Sequence, residues 1–192
     1  LKTLTLETGT TMLQRQHNIQ KLMRSMMTGD KPVIAAVEGA AMGAGLSLAM
    51  ACDIVVAGSA ARFGAVFGKV GLAPDLGLTW TLPRRIGMGR TRLMLMTGRI
   101  IAAEQAAAWG LVDELVTPGA AVSAASKVAA EIAGNAPLPT RMIRRSLAQP
   151  FADLDQALEF ESLTQSLLIS TDGFKEGYAA FIEKRKPHFD SP

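Results

Sequence analysis

Residues 33–75 contain the groups whose types and spacing could do chemistry. An apolar run at 33–37 leads to a Gly-Ala-Gly sequence at 43–45, and an uncharged segment of small residues follows at 46–52. This pattern predicts a buried strand, a tight turn and a buried helix. Backbone N–H groups at a helix N-terminus carry the positive end of the helix dipole, so the turn would suit a developing anion.

The same stretch ends in a single acid, Asp75, in a loop that opens with Gly71 and contains Pro74. The neighbours of Asp75 in the sequence are apolar, and they include Leu72 and Leu76. A carboxylate in apolar surroundings, together with an anion-stabilising turn, indicates proton transfer next to a carbonyl group. The residues alone leave a second interpretation open, in which Asp75 is an ordinary turn residue.

Other chemistry is less well supported by the spacing of residues. The Gly-x-Gly at 43–45 is weak evidence for nucleotide binding, because the third glycine of the dinucleotide fingerprint would fall at Leu48. Ser47 resembles the nucleophile of a serine-hydrolase elbow, but an elbow serine directly follows its strand, whereas Ser47 lies inside the predicted helix. We therefore expect Ser47 to be a small packed residue. His17, on a predicted amphipathic helix at 11–27, is expected on the surface.

The bulk composition excludes several classes of protein. The chain of 192 residues is 48% hydrophobic and 19% charged, which indicates a globular protein of one or two domains. A net charge of +3 on scattered basic residues, with 5% aromatic residues, argues against nucleic-acid binding and favours a small anionic ligand. Residues 40–61 are apolar, but Asp53 interrupts them, so we expect no membrane span. The single cysteine, Cys52, is expected to be buried and inert.

Three motifs in a fixed order carry a family resemblance. They are VEGAAMGAGLSLAMACDIVVAGSAARFG at 37–64, GLAPDLGLTWTLPRRIG at 71–87 and MTGRIIAAEQAAAWGLVDELV at 96–116. Together they resemble the crotonase superfamily, the enoyl-CoA hydratase/isomerase group, over residues 31–189. The resemblance implies an α/β fold of the crotonase type, a ββα spiral with a helical C-terminal region that packs across subunits in a homotrimer or a dimer of trimers. It also implies an acyl-CoA thioester as the substrate. The alanine- and methionine-rich composition, without a recognisable targeting segment, favours a cytoplasmic location.

The resemblance also implies where the anion site lies. The N–H of Ala44 would be one of two donors that hold the thioester oxygen, in a turn that includes Met42 and Gly43 as substrate-binding residues. Residues 1–2 resemble those that directly follow the motif of the other donor. We therefore expect the N-terminal strands of the family and the first donor to lie outside this sequence. A truncated, non-catalytic family member is one alternative that follows from this expectation.

The resemblance further separates two reactions. Ser47 and Phe67 occupy the positions of the two glutamates that hydratases use, and hydration needs both a base for water and an acid for C2. Asp75 resembles the proton-shuttling acid of dienoyl-CoA isomerases and of the ring-opening isomerases of phenylacetate breakdown. We therefore expect an acyl-CoA isomerase that needs no metal or redox cofactor, with an enoyl-CoA hydratase that uses an unusual base as a further alternative. The expected lining of the acyl pocket is Phe67, Leu72 and Leu76.

The remaining sequence predicts the elements around this site. Strands are expected at 33–37, 53–57, 61–63, 100–101 and 111–116, and helices at 11–27, 45–51, 78–86, 90–97, 102–109, 120–133, 139–148, 153–169 and 171–186. The chain would thus consist of an α/β part, residues 1–118, and a helical part, residues 119–192. By resemblance, Phe181 and Lys184 on the last helix would contact the nucleotide end of CoA.

Overall fold

The computed structural model describes residues 9–148 and 151–189. The strands are β1 (Ile34–Val37), β2 (Ala40–Met42), β3 (Ile54–Gly58), β4 (Arg62–Gly64), β5 (Ile100–Ala102) and β6 (Glu114–Val116). The helices are α1 (Gly9–Thr28), α2 (Ala44–Met50), α3 (Leu78–Thr97), α4 (Ala103–Trp109), α5 (Ala121–Ala133), α6 (Pro137–Ala148), α7 (Leu154–Leu168) and α8 (Asp172–Glu183), with a 3₁₀ helix at Val66–Val70. The predicted mixture of α and β elements is confirmed.

Two small sheets take alternate strands of the chain. One sheet has the order β1-β3-β6 and the other β2-β4-β5. The pairs β1–β3, β3–β6 and β2–β4 are parallel, whereas β4 and β5 are antiparallel. Parallel strands need a crossover connection, and α2 supplies one between β1 and β3. The turn between β2 and α2 therefore lies where the chain passes from one sheet towards the other.

A hydrophobic core fills the first of two compact units, which contains residues through Gly29 and Val33–Ala125. The apolar residues whose periodic spacing predicted the helices and strands are the residues that pack into this core. Its largest fully buried apolar side chains come from α2, three strands or loops, and α3; they are Phe63, Leu46, Leu78, Leu82, Met94, Leu111, Val55 and Val56. The elements that flank residues 42–46 and Asp75 are thus anchored in this core.

The helix α3 is broken in its middle. Gly87 has φ 75° and ψ 161°, a conformation that glycine adopts without steric cost. The structure therefore confirms the two predicted helices at 78–86 and 90–97, which follow each other directly across this break.

The second compact unit contains Asp30–Pro32 and Ser126 onwards, and its described part is helical. Side-chain caps begin two of its helices. The carboxylate of Asp153 accepts the N–H of Gln156 at the start of α7, and the hydroxyl of Thr171 accepts that of Phe174 at the start of α8. Such caps satisfy backbone donors that have no intrahelical partner. The boundary predicted at residue 118 stays a prediction.

Several elements differ from the prediction. The strand β2 was missed because its three residues, Ala-Ala-Met, have little β propensity and no alternation. The last strand begins at Glu114 and is therefore shorter than predicted. Leu111 and Val112 precede it as buried residues of the core. Cys52 is half-buried rather than buried, and its Sγ lies 3.4 Å from the carbonyl oxygen of Leu48.

Two side chains lie where the sequence predicts. His17 is exposed on α1 and Ser47 is fully buried in α2.

In the part of the chain that the structure describes, no helix combines the length and the apolar character needed to cross a membrane. Between residues 9 and 189, apart from 149–150, no group of three or more His, Cys, Asp or Glu side chains could hold a metal ion.

Candidate functional site

The first part of the candidate site is the Gly43 turn, residues 42–46, between β2 and α2. Gly43 has φ 54° and ψ −119°, a combination that favours glycine. Its N–H donates to the carbonyl oxygen of Gly64 at 2.9 Å, and its own carbonyl accepts the N–H of Ser47 at 3.1 Å. Ala44 is the first residue of α2, so its N–H has no intrahelical acceptor, and the residue is exposed. The turn can therefore present this N–H to an anion.

Two predicted substrate-binding side chains pack around the Gly43 turn. Ring atoms of the buried Phe67 lie 3.9 Å from the position that a Cβ at Gly43 would take. A Cβ at Gly64 would lie 2.7 Å from the sulfur of Met42. The absence of a side chain at Gly64 therefore leaves space for Met42. The structure therefore brings Met42, Gly43 and Phe67 together, with Ala44 beside them.

Ser47 supports the turn from within α2. It is fully buried, and its hydroxyl donates to the carbonyl oxygen of Gly43 at 3.4 Å. A buried hydroxyl bonded to the backbone one turn earlier is a structural arrangement, and it supplies no base. Neither Ser47 nor the apolar Phe67 therefore brings a carboxylate to the Gly43 turn.

The second part of the site is the Asp75 turn, residues 75–77, before α3. Leu76 and Gly77 have φ 53° and φ 80°, so two successive residues lie in the left-handed region. A leucine there is uncommon and costs about 1–3 kcal/mol. The side chain of Leu76 is buried against Met23 of α1 and Ala51, which follows α2. This packing holds the backbone of Leu76, directly after Asp75, in its strained conformation.

The predicted pocket-lining leucines lie in different surroundings. Leu76 belongs to the small cluster with Met23, whereas Phe67 belongs to the main core. Leu72 is 44% exposed, and its N–H donates to the carbonyl oxygen of Phe67 at 3.0 Å. The structure thus links Leu72 to Phe67 but places Leu76 in a separate cluster.

The carboxylate of the half-buried Asp75 has two unlike oxygens. Oδ2 accepts a hydrogen bond from Nε2 of Gln16 at 3.2 Å. Oδ1 is shielded from solvent and has no hydrogen-bond partner among the described residues. Sequence reasoning missed Gln16, because a single glutamine on an amphipathic helix 59 residues away carries no local signal of this contact.

Phe181 and Lys184 belong to the second unit, at the end of α8. Phe181 is 79% exposed, and Lys184 ends the helix at φ 55°. The guanidinium of Arg185 binds both carboxylate oxygens of Glu176, at 2.6 and 2.8 Å, and the N–H of His188 donates to one of them at 2.7 Å. The bonds from Arg185 and then the amide of His188 lower the pKa of Glu176 to about 2. These bonds hold the residues after α8 in place.

Comparison with known proteins identifies the family. A family model described as enoyl-CoA hydratase/isomerase matches residues 4–192. The chain is 39% identical to the short-chain-enoyl-CoA hydratase of Clostridium acetobutylicum over 86% of its own length, and 36% identical to the 1,2-epoxyphenylacetyl-CoA isomerase of Escherichia coli over 88%. It spans 64% of the length of each of these relatives.

A solved structure supports the same assignment. The crystal structure of an enoyl-CoA hydratase from Bacillus anthracis aligns with a TM-score of 0.94 at 32% identity, covering 98% of this chain and 74% of that one. This confirms the predicted crotonase-type fold. The sequence match and the structural match cover both parts of the candidate site. The chain therefore belongs to the enoyl-CoA hydratase/isomerase family.

Proposed function

We propose that the protein is an acyl-CoA isomerase that moves a carbon–carbon double bond by proton transfer through a thioester enolate. The observation that carries this proposal is that Asp75 is the one carboxylate among three candidate side chains, Ser47, Phe67 and Asp75. Ser47 is buried and bonded to the backbone, Phe67 is apolar, and Asp75 offers a half-buried carboxylate with one unpaired oxygen. One acid that both takes and returns a proton suits isomerisation, whereas hydration needs a second group to activate water.

The proposed reaction converts a 3-enoyl-CoA to a 2-enoyl-CoA. The carboxylate of Asp75 removes a proton from C2, and the electron pair of that C–H bond moves into the thioester to give a dienolate. The protonated Asp75 then returns the proton to C4, and the double bond comes to lie between C2 and C3. The proton is conserved and no electrons enter or leave, so atoms and charge balance without a further reactant.

The Gly43 turn would stabilise the dienolate. Negative charge develops on the thioester oxygen, and the N–H of Ala44 at the start of α2 can donate to it. One donor of this kind is typically worth about 10²–10³-fold in rate. Met42, Gly43, Phe67 and Leu72 would bind the acyl part. Contact of Phe181 and Lys184 with the nucleotide end of CoA stays a prediction.

Enoyl-CoA hydration is the second candidate function. Relatives such as the Clostridium acetobutylicum protein are named as hydratases, and they match this chain slightly better than the isomerase of Escherichia coli. Hydration would require a base elsewhere in the protein, because neither Ser47 nor Phe67 carries a carboxylate. The branch of phenylacetate ring-opening isomerases, the homotrimer or dimer of trimers, the absence of a cofactor and the cytoplasmic location stay predictions.

Analysis of the products formed from 3-enoyl-CoA tests the proposal. Mass spectrometry first establishes whether the protein in the assay has the mass of this sequence. We expect conversion to the 2-enoyl product, and a loss of about 10²-fold or more in Asp75→Asn, the range typical of a general acid–base group. The matched control is Asp172→Asn, which changes an exposed aspartate of α8 paired with Lys175. An Asp75→Asn protein that isomerises at the wild-type rate, or a wild-type protein that yields only 3-hydroxyacyl-CoA, would contradict the proposal.

A further inference from the structure

Gln16 contacts the candidate acid from a distant part of the sequence. Its side-chain amide donates to Oδ2 of Asp75 at 3.2 Å across 59 residues of chain. We propose that Gln16 is a positioning residue, which holds the carboxylate of Asp75 in one orientation for proton transfer. This inference rests on the proposed function of Asp75.

The helix α1 is fixed against the Asp75 turn at two points. Gln16 and Met23 are seven residues apart, which places them on the same face of α1, about two turns from each other. Gln16 contacts the carboxylate of Asp75, and Met23 packs against Leu76. Because two successive residues of the turn are each held by α1, the amide of Gln16 cannot move away from Asp75 without disturbing the packing of Leu76.

The chemistry of an amide suits this role. A donor to a carboxylate stabilises its charged form, and a cationic donor does so far more strongly than a neutral one. An acid that must exchange a proton near neutral pH needs orientation without a cation that fixes it as an anion. Gln16 is neutral at all relevant pH values, so it can orient the carboxylate while leaving it able to accept a proton.

The two oxygens of Asp75 differ in their surroundings. Oδ2 is engaged by Nε2 of Gln16, whereas Oδ1 has neither solvent contact nor a hydrogen-bond partner in the described residues. A hydrogen bond to one oxygen restricts the torsions of the side chain, so the amide of Gln16 defines the orientation of the whole carboxylate.

The charged groups around this contact are directed elsewhere. Arg15 and His17 flank Gln16 on α1, are exposed, and project about 100° to either side of it around the helix. Asp53, after α2, is also exposed, and its carboxylate accepts the N–H of Val33 at 2.7 Å. Within the described residues, the polar contact recorded for the carboxylate of Asp75 is therefore that of Gln16.

Kinetics of three variants test the role of Gln16 in turnover. In Gln16→Leu we expect kcat for 3-enoyl-CoA to fall about tenfold to a hundredfold, the value of a hydrogen bond to a charged group, with little change in KM. Gln16→Asn should recover part of the loss. The matched control, Gln20→Leu, replaces an exposed glutamine one turn further along α1 and should resemble the wild type.

A measurement that needs no turnover separates this inference from the proposed function. The NMR resonances of the side-chain amide of Gln16, assigned by their loss in Gln16→Leu, are compared between the wild type and Asp75→Asn. They should shift in Asp75→Asn, which removes the charge of the acceptor, and stay unchanged in the control Asp172→Asn. Unchanged resonances in Asp75→Asn would overturn the inference, whatever the activity. Shifted resonances with turnover that survives Asp75→Asn would instead overturn the proposed function alone.

Discussion

The Gly43 turn and the Asp75 turn both lead directly into a helix, but different kinds of contact hold them. The Gly43 turn is fixed by its backbone, through the bond from Gly43 to Gly64 and the bond from Ser47 back to Gly43. The Asp75 turn is fixed largely by side chains from elsewhere in the sequence, with Leu76 packed on Met23 and the carboxylate bonded to Gln16. The first turn positions a backbone N–H and the second positions a carboxylate.

This difference follows from what each turn has to hold. A backbone donor can be oriented by its own peptide units, so local hydrogen bonds and a glycine conformation are sufficient. A carboxylate on a side chain has free torsions, and only contacts made by other residues can remove that freedom. We therefore expect the Gly43 turn to fail through backbone changes and the Asp75 turn to fail through changes in its packing.

The largest effect is expected from Gly43→Ala. An alanine at φ 54° and ψ −119° is strained, which should lower the free energy of unfolding by about 1–3 kcal/mol. The strain should also displace the N–H of Ala44, so kcat/KM for 3-enoyl-CoA should fall about 10²–10³-fold, as for the loss of one oxyanion donor. Steady-state kinetics and urea unfolding measure the two effects.

Gly45→Ala is the matched control for this change. Gly45 lies within α2, and a Cβ there would meet no heavy atom within 4 Å. Alanine is favoured over glycine in a helix by roughly 1 kcal/mol, so this variant should be at least as stable as the wild type. Equal stability of Gly43→Ala and Gly45→Ala would show that the positive φ of Gly43 imposes no strain on an alanine in the turn.

The contrast between the turns also explains how much the sequence could predict. The Gly43 turn was predictable because glycines and a change of periodicity are local signals, and the resemblance carried the role of Ala44 with them. The type and place of Asp75 were predictable for the same reason. The contacts of Asp75 with Gln16, and of Leu76 with Met23, join α1 to a turn more than 50 residues later. Such contacts depend on tertiary packing, which has no periodicity to read.

A smaller effect should distinguish two substitutions of Leu76. Leu76→Ala removes a buried side chain and should lower the free energy of unfolding by about 2 kcal/mol or more. Leu76→Gly removes the same packing but relieves the left-handed backbone, where an L-residue costs about 1–2 kcal/mol. We therefore expect the glycine variant to equal or exceed the alanine variant in stability, by up to about 1 kcal/mol, in urea unfolding.

Leu82, buried within α3, provides the reference for Leu76. In a helix, glycine is less favourable than alanine by about 1 kcal/mol, so Leu82→Gly should be less stable than Leu82→Ala. The two positions should thus show opposite orders of glycine and alanine. The same order at both positions would show that packing alone, without backbone strain, determines the stability of the Asp75 turn.

The smallest effect is expected at Glu176, whose carboxylate is bound by a cation, whereas that of Asp75 is bound by a neutral amide. Both oxygens of Glu176 are bonded to Arg185, and the N–H of His188 adds a third bond, which together lower the pKa of Glu176 from 4.5 to about 2. A lowered pKa in the folded state stabilises the fold above pH 4.5, and that contribution is lost as the pH falls towards 2. The contacts of Arg185 should therefore persist from neutral pH to about 4.5 and disappear only below it.

The ¹³C resonance of the Glu176 carboxyl, assigned by its loss in Glu176→Gln and followed by NMR from pH 7 to pH 2, tests this expectation. Its position should stay constant until the pH falls below the ordinary range of a glutamate, because Glu176 remains ionised there. Arg185→Gln should raise the midpoint of Glu176, because the largest cause of its lowered pKa is removed, whereas Glu161→Gln, at an exposed position of α7, should leave that midpoint unchanged. A transition near pH 4.5 would show that the cation does not hold Glu176 as an anion. The contrast between a cation-bound structural carboxylate and an amide-bound reactive one would then lose its physical basis.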